Sequence, residues 1–308
     1  MKSYDAVVIG GGPAGVTAAM YLARSGCSVL LPERLTSGGQ LLQTEALENY
    51  PGFPKGIKGY ELADLFTEHL EGLTVDRPAI VVESISGSAG QFTVHTAEED
   101  YLCKVVLVCS GARHRHLGLE GEDRLRGRGV SYCALCDGNF FRNQTVAVVG
   151  GGNAAMEESL YLTKIVSKLH LIHRRDSFRG LKVYQDRLES MPDKVDLLRS
   201  SVITQLHGED HLTGLTVKNL QTGQEKLLAV DGLFIYVGFA PVTNFLPQGI
   251  ELDAQGFIVT DTEMRSNIPG IFAAGDIRSK LCRQVITAAG DGATAAQAAF
   301  VFLEQLHA

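Results

Sequence analysis

Short apolar runs, each closed by glycines and followed by a stretch of helical character, recur along the 308-residue chain. Ala6-Val7-Val8-Ile9 is an unbroken apolar run of β-branched type. Without polar alternation it reads as a strand buried on both faces, as in a parallel sheet. Gly10-Gly11-Gly12 follows at once; Val16 to Ser25 is then helical in character and Gly26 ends it. Ser28-Val29-Leu30-Leu31 is the next strand, and Pro32 interrupts only its end, a tolerable place. The same order returns at mid-chain: Thr145 to Val149 as strand, Gly150-Gly151-Gly152 as loop, Ala154 to Thr163 as helix, Lys168 to Ile172 as strand. A third apolar strand, Gly270 to Ala274, ends in Gly275-Asp276, after which Arg283-Gln284-Val285 opens a long Ala-rich helix.

The loops between these runs carry nucleotide chemistry. Gly10, Gly12 and Gly15, with Pro13 and Ala14 between them, form Gly-x-Gly-x-x-Gly in the first turn of a βαβ unit. The first glycine permits the tight turn, the second lets the backbone approach a pyrophosphate, and the third allows close helix–strand packing. Glu33 stands about 20 residues on, where an acid contacts an adenosine ribose. The second loop, Gly150, Gly152, Asn153 and Ala154-Ala155, ends in alanine rather than a third glycine, which the pattern allows. Beyond its second strand stand His173-Arg174-Arg175 and Arg179 in place of an acid. Cations there accommodate a 2′-phosphate, which selects NADPH over NADH. A solvated basic turn would carry the same residues. Asp276, at the carboxyl end of a strand, can accept hydrogen bonds from ribityl hydroxyls, and the helix after it can aim its N-terminus at a flavin.

The fold class that follows is α/β, with two nucleotide-binding Rossmann-like domains, the NADPH domain inserted into a split FAD domain. The FAD domain takes residues 1–113 and 245–308, and the NADPH domain 114–244. The chain crosses between them at Gly111-Ala112-Arg113 and at Gly238-Phe239-Ala240-Pro241.

Composition narrows the function. Hydrophobic content of 45% with 20% charged residues fits a soluble globular protein. A net charge of −7 disfavours nucleic-acid binding. No apolar run approaches the ~20 residues of a membrane span, and the N-terminus runs straight into a strand with no room for a signal peptide, so a cytoplasmic protein is expected. Six cysteines in a cytoplasmic chain of this size argue against a disulfide scaffold. Cys27, Cys103, Cys109 and Cys282 lie apart and read as small packing residues. Cys133-Ala134-Leu135-Cys136-Asp137-Gly138 is different: two thiols three positions apart, an acid after the second, between the two nucleotide loops. Cys-x-x-Cys is also half of many zinc sites, but no second pair follows at zinc-finger spacing. A redox pair between two nucleotide sites suggests an electron path from nicotinamide through flavin to disulfide. Asp137 suits a proton donor to a leaving thiolate or to reduced flavin, or else caps the turn before Gly138.

The chain resembles the low-molecular-weight, bacterial-type thioredoxin reductases along essentially its whole length. The resemblance is carried in order by Gly10 to Gly15, Gly38-Gly39-Gln40-Leu41 and Glu48-Asn49-Tyr50-Pro51-Gly52-Phe53. It continues through Cys133 to Gly138, Gly150 to Ala155, His173-Arg174-Arg175, and Gly275-Asp276 with Arg283-Gln284 and Val285. It implies a homodimeric flavoprotein with tightly bound FAD, passing electrons from NADPH through FAD and the Cys133–Cys136 disulfide to thioredoxin. By the same resemblance Cys136 is the thiol next to the flavin and Cys133 the interchange thiol. His114 departs from the pattern, standing where the family often has proline. Disulfide and nicotinamide site share the inserted domain while the flavin belongs to the other, so rotation about the crossings is expected. Related readings are a dithiol oxidase, a flavin reductase feeding a peroxiredoxin, and a ferredoxin-NADP reductase. The basic turn, the lack of an N-terminal extension and the cysteine pair argue against each in turn. A non-catalytic sensor of cofactor state is the reading outside enzymology.

Overall fold

A computed structural model of the chain describes residues 1–34, 37–43, 46, 47 and 49–307; Glu48, one of the block residues above, lies outside them. The chain divides into two units, Met1–Arg113 with Ala240–Ala308, and His114–Phe239. The return crossing therefore precedes residue 245. The apolar strand Gly232–Tyr236 ends just before Gly238, whose φ of +113° turns the chain, and Val242 N–H already bonds to the Gly111 carbonyl of the first unit. The two crossings are themselves short strands, Ala112–His114 and Phe239–Pro241, which pair with each other.

Among the described residues the first unit is built on a seven-stranded sheet. Its central strand Lys2–Ile9 pairs in parallel with Val29–Leu30 on one side and Tyr101–Val108 on the other. Alternation along it splits two cores: Ala6 and Val8 face one cluster, Val7 and Ile9 the other. The first cluster is roofed by helix α1 (Pro13–Arg24) and by α6 (Val285–His307), whose Ala295 and Ala299 are fully buried, and α2 (Gly59–Glu68) packs against the cluster through Phe66. By length and composition Val285–Leu306 could cross a membrane, which the sequence reading missed; here it is a core helix laid on α1. Ile271–Ala273 adds to Tyr101–Val108 in parallel and delivers Gly275-Asp276 to the same sheet end as the first glycine loop. An antiparallel hairpin, Val82–Ser88 with Gln91–Thr96, completes this sheet and was not legible in the sequence.

The second unit holds a five-stranded sheet in the order Val130–Ser131, Gly232–Tyr236, Thr145–Gly150, Lys168–Ile172, Val195–Leu198, all parallel. Val146, Val148, Leu169, Leu171 and Phe234 are fully buried under α4 (Asn153–Leu162) and α5 (Lys182–Glu189). A three-stranded antiparallel sheet, Ser201–His207, Gly214–Asn219 and Glu225–Ala229, covers the other face through Ile203, Leu215 and Val217. The redox pair lies on a single turn, α3 (Ala134–Asp137).

Candidate active site

In the first unit the strand Lys2–Ile9 runs into Gly10, held at φ +107°; a Cβ there would stand 2.6 Å from the Cys109 carbonyl oxygen. A side chain at Gly15 would be driven into the Gly10 carbonyl, so only glycine lets α1 pack this close. Gly12 caps α1 and has nothing within 4 Å of where its Cβ would be, and Pro13 follows at the first helical position. The free N–H groups of this helix end thus face open space suited to a phosphate. Glu33 lies beside the loop: Oε2 accepts from Gly11 N–H at 2.7 Å and Oε1 from Arg34 N–H at 2.6 Å. A carboxylate has lone pairs left for a ribose hydroxyl.

The remaining residues expected at this site converge from distant parts of the sequence. Gly39 backs onto Gly12, its would-be Cβ 3.2 Å from the Gly12 Cα; Gln40 Nε2 donates to the Ala112 carbonyl at 2.8 Å, and Leu41 is buried beneath. Asn49 Nδ2 donates to Gln284 Oε1 at 3.1 Å, just ahead of Val285. Gly275, at φ +80°, packs on Ala14. Asp276 follows, and its buried Oδ1 has no hydrogen-bond partner among the described residues. Burial holds its carboxyl above the usual carboxylate range, although Lys280 and Arg283 pull the other way. Arg283 lies over the Phe257 ring at 4.0 Å and donates to the Lys280 and Arg278 carbonyls. Asp291 was missed in the sequence. It accepts from Gly275 N–H at 3.1 Å and pairs with Arg278 at 3.0 Å and Lys280 at 2.9 Å, so it braces the Gly275-Asp276 turn. An open helix end and a buried carboxylate oxygen that has an ion pair with Lys280 at 3.9 Å but no hydrogen bond among the described residues fit the phosphates and polyol of FAD.

In the second unit Gly150 has φ +155°, and a Cβ on it would lie 2.7 Å from both the Ala155 Cβ and the Tyr236 carbonyl. Ala155 thus packs where the first loop has Gly15. Gly152 caps α4 with open space before it. Asn153 Oδ1 accepts from Leu181 N–H at 2.8 Å, and Ala154 is exposed. The basic turn folds back onto this loop: Arg179 N–H and Gly180 N–H both bond to the Gly151 carbonyl, at 2.7 and 3.1 Å. Arg174, Arg175 and Arg179 are exposed there. His173 behaves differently. It is buried, stacks on Phe178 with ring centroids 5.3 Å apart, and fills the space above Gly151. Burial, then Arg179 and Arg175, hold its pKa below the ordinary histidine value, which favours the uncharged ring.

Cys133 and Cys136 form a disulfide, Cα atoms 5.3 Å apart, both half-buried. Asp137 Oδ2 accepts from Ser131 Oγ at 2.6 Å, and the same hydroxyl oxygen accepts from Cys133 N–H at 3.1 Å. Ser131 therefore ties the acid to the first cysteine, a link that sequence spacing alone did not indicate. Among the described residues no group of three or more His, Cys, Asp or Glu is placed to hold a metal. Cys27, Cys103 and Cys109 are buried, and burial pushes the Cys103 thiol up to about 12 and Cys109 higher. Cys282 is exposed, contrary to the packing role expected of it, because it sits in the loop before α6.

Comparison with known proteins is consistent with this geometry. The sequence profile of the pyridine nucleotide-disulphide oxidoreductases matches residues 4–292. A thioredoxin reductase of Listeria monocytogenes is 43% identical over 307 residues, 99% of this chain and 95% of that protein. One from Bacillus subtilis is 40% identical over 99% of this chain and 96% of its own length. The crystal structure of thioredoxin reductase from Streptococcus pyogenes superposes with a TM-score of 0.91 at 45% identity, covering 98% of this chain and 99% of that one.

Proposed function

The chain belongs to the pyridine nucleotide-disulphide oxidoreductase family, and we propose that within it this protein is an NADPH-dependent thioredoxin-disulfide reductase. The observation that carries the reading is the Cys133–Cys136 disulfide on a half-buried turn, in the unit whose glycine loop is bordered by exposed arginines. FAD, when bound, supplies the two-electron relay between nicotinamide and disulfide. Gly10, Gly12 and Gly15 leave the α1 end open for its phosphates, Glu33 and Asp276 offer acceptors for its hydroxyls, and Asn49, Gln284 and Arg283 line the same unit. Gly150 and Gly152 serve the NADPH phosphates, and Arg174, Arg175 and Arg179 its 2′-phosphate.

Cys133 attacks thioredoxin as a thiolate, forming a mixed disulfide that Cys136 resolves. Asp137, held by Ser131, exchanges the proton with the leaving thiolate. The reading extends, by family resemblance, to a cytoplasmic homodimer with no membrane or nucleic-acid partner.

The test is anaerobic. In Cys133→Ser and Cys136→Ser, NADPH should still bleach the flavin while thioredoxin reduction falls by at least a thousandfold, since neither sulfur can complete the exchange alone. Near-normal thioredoxin turnover by either variant would end the disulfide relay.

A further inference from the structure

The first turn of a helix leaves its N–H groups without partners inside the helix. In the redox turn side chains meet those of Ala134 and Cys136, and that of Asp137 makes a helical bond. Cys136 N–H donates to Cys133 Sγ at 3.2 Å, and Asp137 N–H to the Cys133 carbonyl at 3.0 Å. Ala134 N–H donates to Tyr236 Oη at 2.6 Å. The Glu158 carboxylate lies close to the Leu135 N–H and to the Tyr236 hydroxyl. Tyr236 closes the strand Gly232–Tyr236 and Glu158 lies midway along α4, so a phenol from one rigid element holds Ala134 and a carboxyl from another stands beside Leu135, the two residues between the cysteines. Glu158 Oε2 is buried with no hydrogen-bond partner among the described residues. Neither residue has a part in the reaction described so far.

We propose that Glu158, beside the Tyr236 hydroxyl, is a positioning residue for the Cys133–Cys136 pair and balances its charge by taking up a proton when the disulfide opens. Two electrons, delivered by the NADPH reaction, break the S–S bond. One sulfur takes a proton from solvent and becomes a thiol; the other remains a thiolate. The thiolate's charge raises the proton affinity of Glu158, whose carboxylate takes a second proton from solvent. When the thiolate is consumed in the mixed disulfide, Glu158 releases that proton.

The surroundings suit this exchange. Burial first, and then the like charge of Glu157, push the Glu158 carboxyl up to about 7, so both its forms are populated near neutral pH. Glu157, on the same helix, lies close to the Tyr184 hydroxyl of α5. Asp137 of α3 faces the phenol. Lys168 and His170, on the strand Lys168–Ile172 beneath α4, are paired with Asp196 instead.

The test is the midpoint potential of Cys133–Cys136 in the full-length flavin-loaded protein, poised in dithiothreitol buffers from pH 6 to 8.5 and quenched by alkylation. Each proton taken up with the electron pair changes the equilibrium tenfold per pH unit, about 30 mV. Above about pH 7 the wild type should show a hundredfold dependence per unit and Glu158→Gln only a tenfold one. Tyr236→Phe, which removes the hydroxyl beside the carboxylate, should move the wild-type inflection to higher pH. A wild-type slope in Glu158→Gln, or an unmoved inflection in Tyr236→Phe, overturns the proposal. The inference rests on the reading of Cys133–Cys136 as the redox pair. Lack of thioredoxin turnover in the wild type would count against that reading, whereas normal turnover with an unchanged slope counts against Glu158 alone.

Discussion

Arg174 and Arg179 are where the choice between the two nicotinamide cofactors is made in this account. Both are exposed beside the second glycine loop, and the Arg179 backbone is pinned to the Gly151 carbonyl. A charge-assisted contact to a phosphate contributes about 1.5–3 kcal/mol. Replacing both with alanine should raise the Michaelis constant for NADPH by roughly tenfold or more and leave that for NADH nearly unchanged. A wild-type enzyme that uses NADH as well as NADPH would contradict the assignment. At this scale the sequence showed residues whose meaning is set by neighbours in the chain: Gly10, Gly12, Gly15, the cysteine pair and the arginines. It did not show those defined by partners far away. Asp291, Tyr236 and Glu158 reach their partners only through packing, and His173 reads as a cation until its burial against Phe178 is seen.

At the scale of elements, α6 and α1 roof the seven-stranded sheet of the discontinuous unit, and their approach is set by one glycine. A Cβ on Gly292 would be driven into the Ala14 carbonyl oxygen, within the turn that also carries Gly15. Gly290, two residues earlier, is exposed with nothing within 4 Å of its would-be Cβ. Gly292→Ala should therefore lower stability by ~1–3 kcal/mol and weaken flavin retention, as overpacking does. Gly290→Ala should raise stability by about 0.5–1 kcal/mol through helix propensity alone. Thermal unfolding with flavin release read in parallel checks both; equal effects from the two would contradict the close packing. The sequence did not separate Gly292 from Gly290, since both stand in the same Ala-rich helix and only packing tells them apart. The parallel strands were legible, since runs such as Thr145 to Val149 are apolar on both faces. The hairpin Val82–Ser88 with Gln91–Thr96 was not: its Ser and Gly residues face solvent and blur the alternation.

At the scale of the whole molecule, the order of motifs along the chain carries the argument. The first glycine loop and Gly275-Asp276 lie in the discontinuous unit, and the cysteine pair and second glycine loop in the inserted one. Crossings at Gly111–Arg113 and Gly238–Pro241 were readable because glycine and proline cluster there next to strand-like runs. The exact return point was not, because it depends on which unit's backbone Val242 joins. The central claim is that electrons entering as NADPH leave only through Cys133 and Cys136 to thioredoxin. The most direct measurement is NADPH oxidation by the purified yellow protein, with and without oxidised thioredoxin. The account predicts sustained oxidation that requires thioredoxin and produces one thioredoxin dithiol per NADPH. Oxidation at the same rate without thioredoxin, or none when it is present, would contradict it.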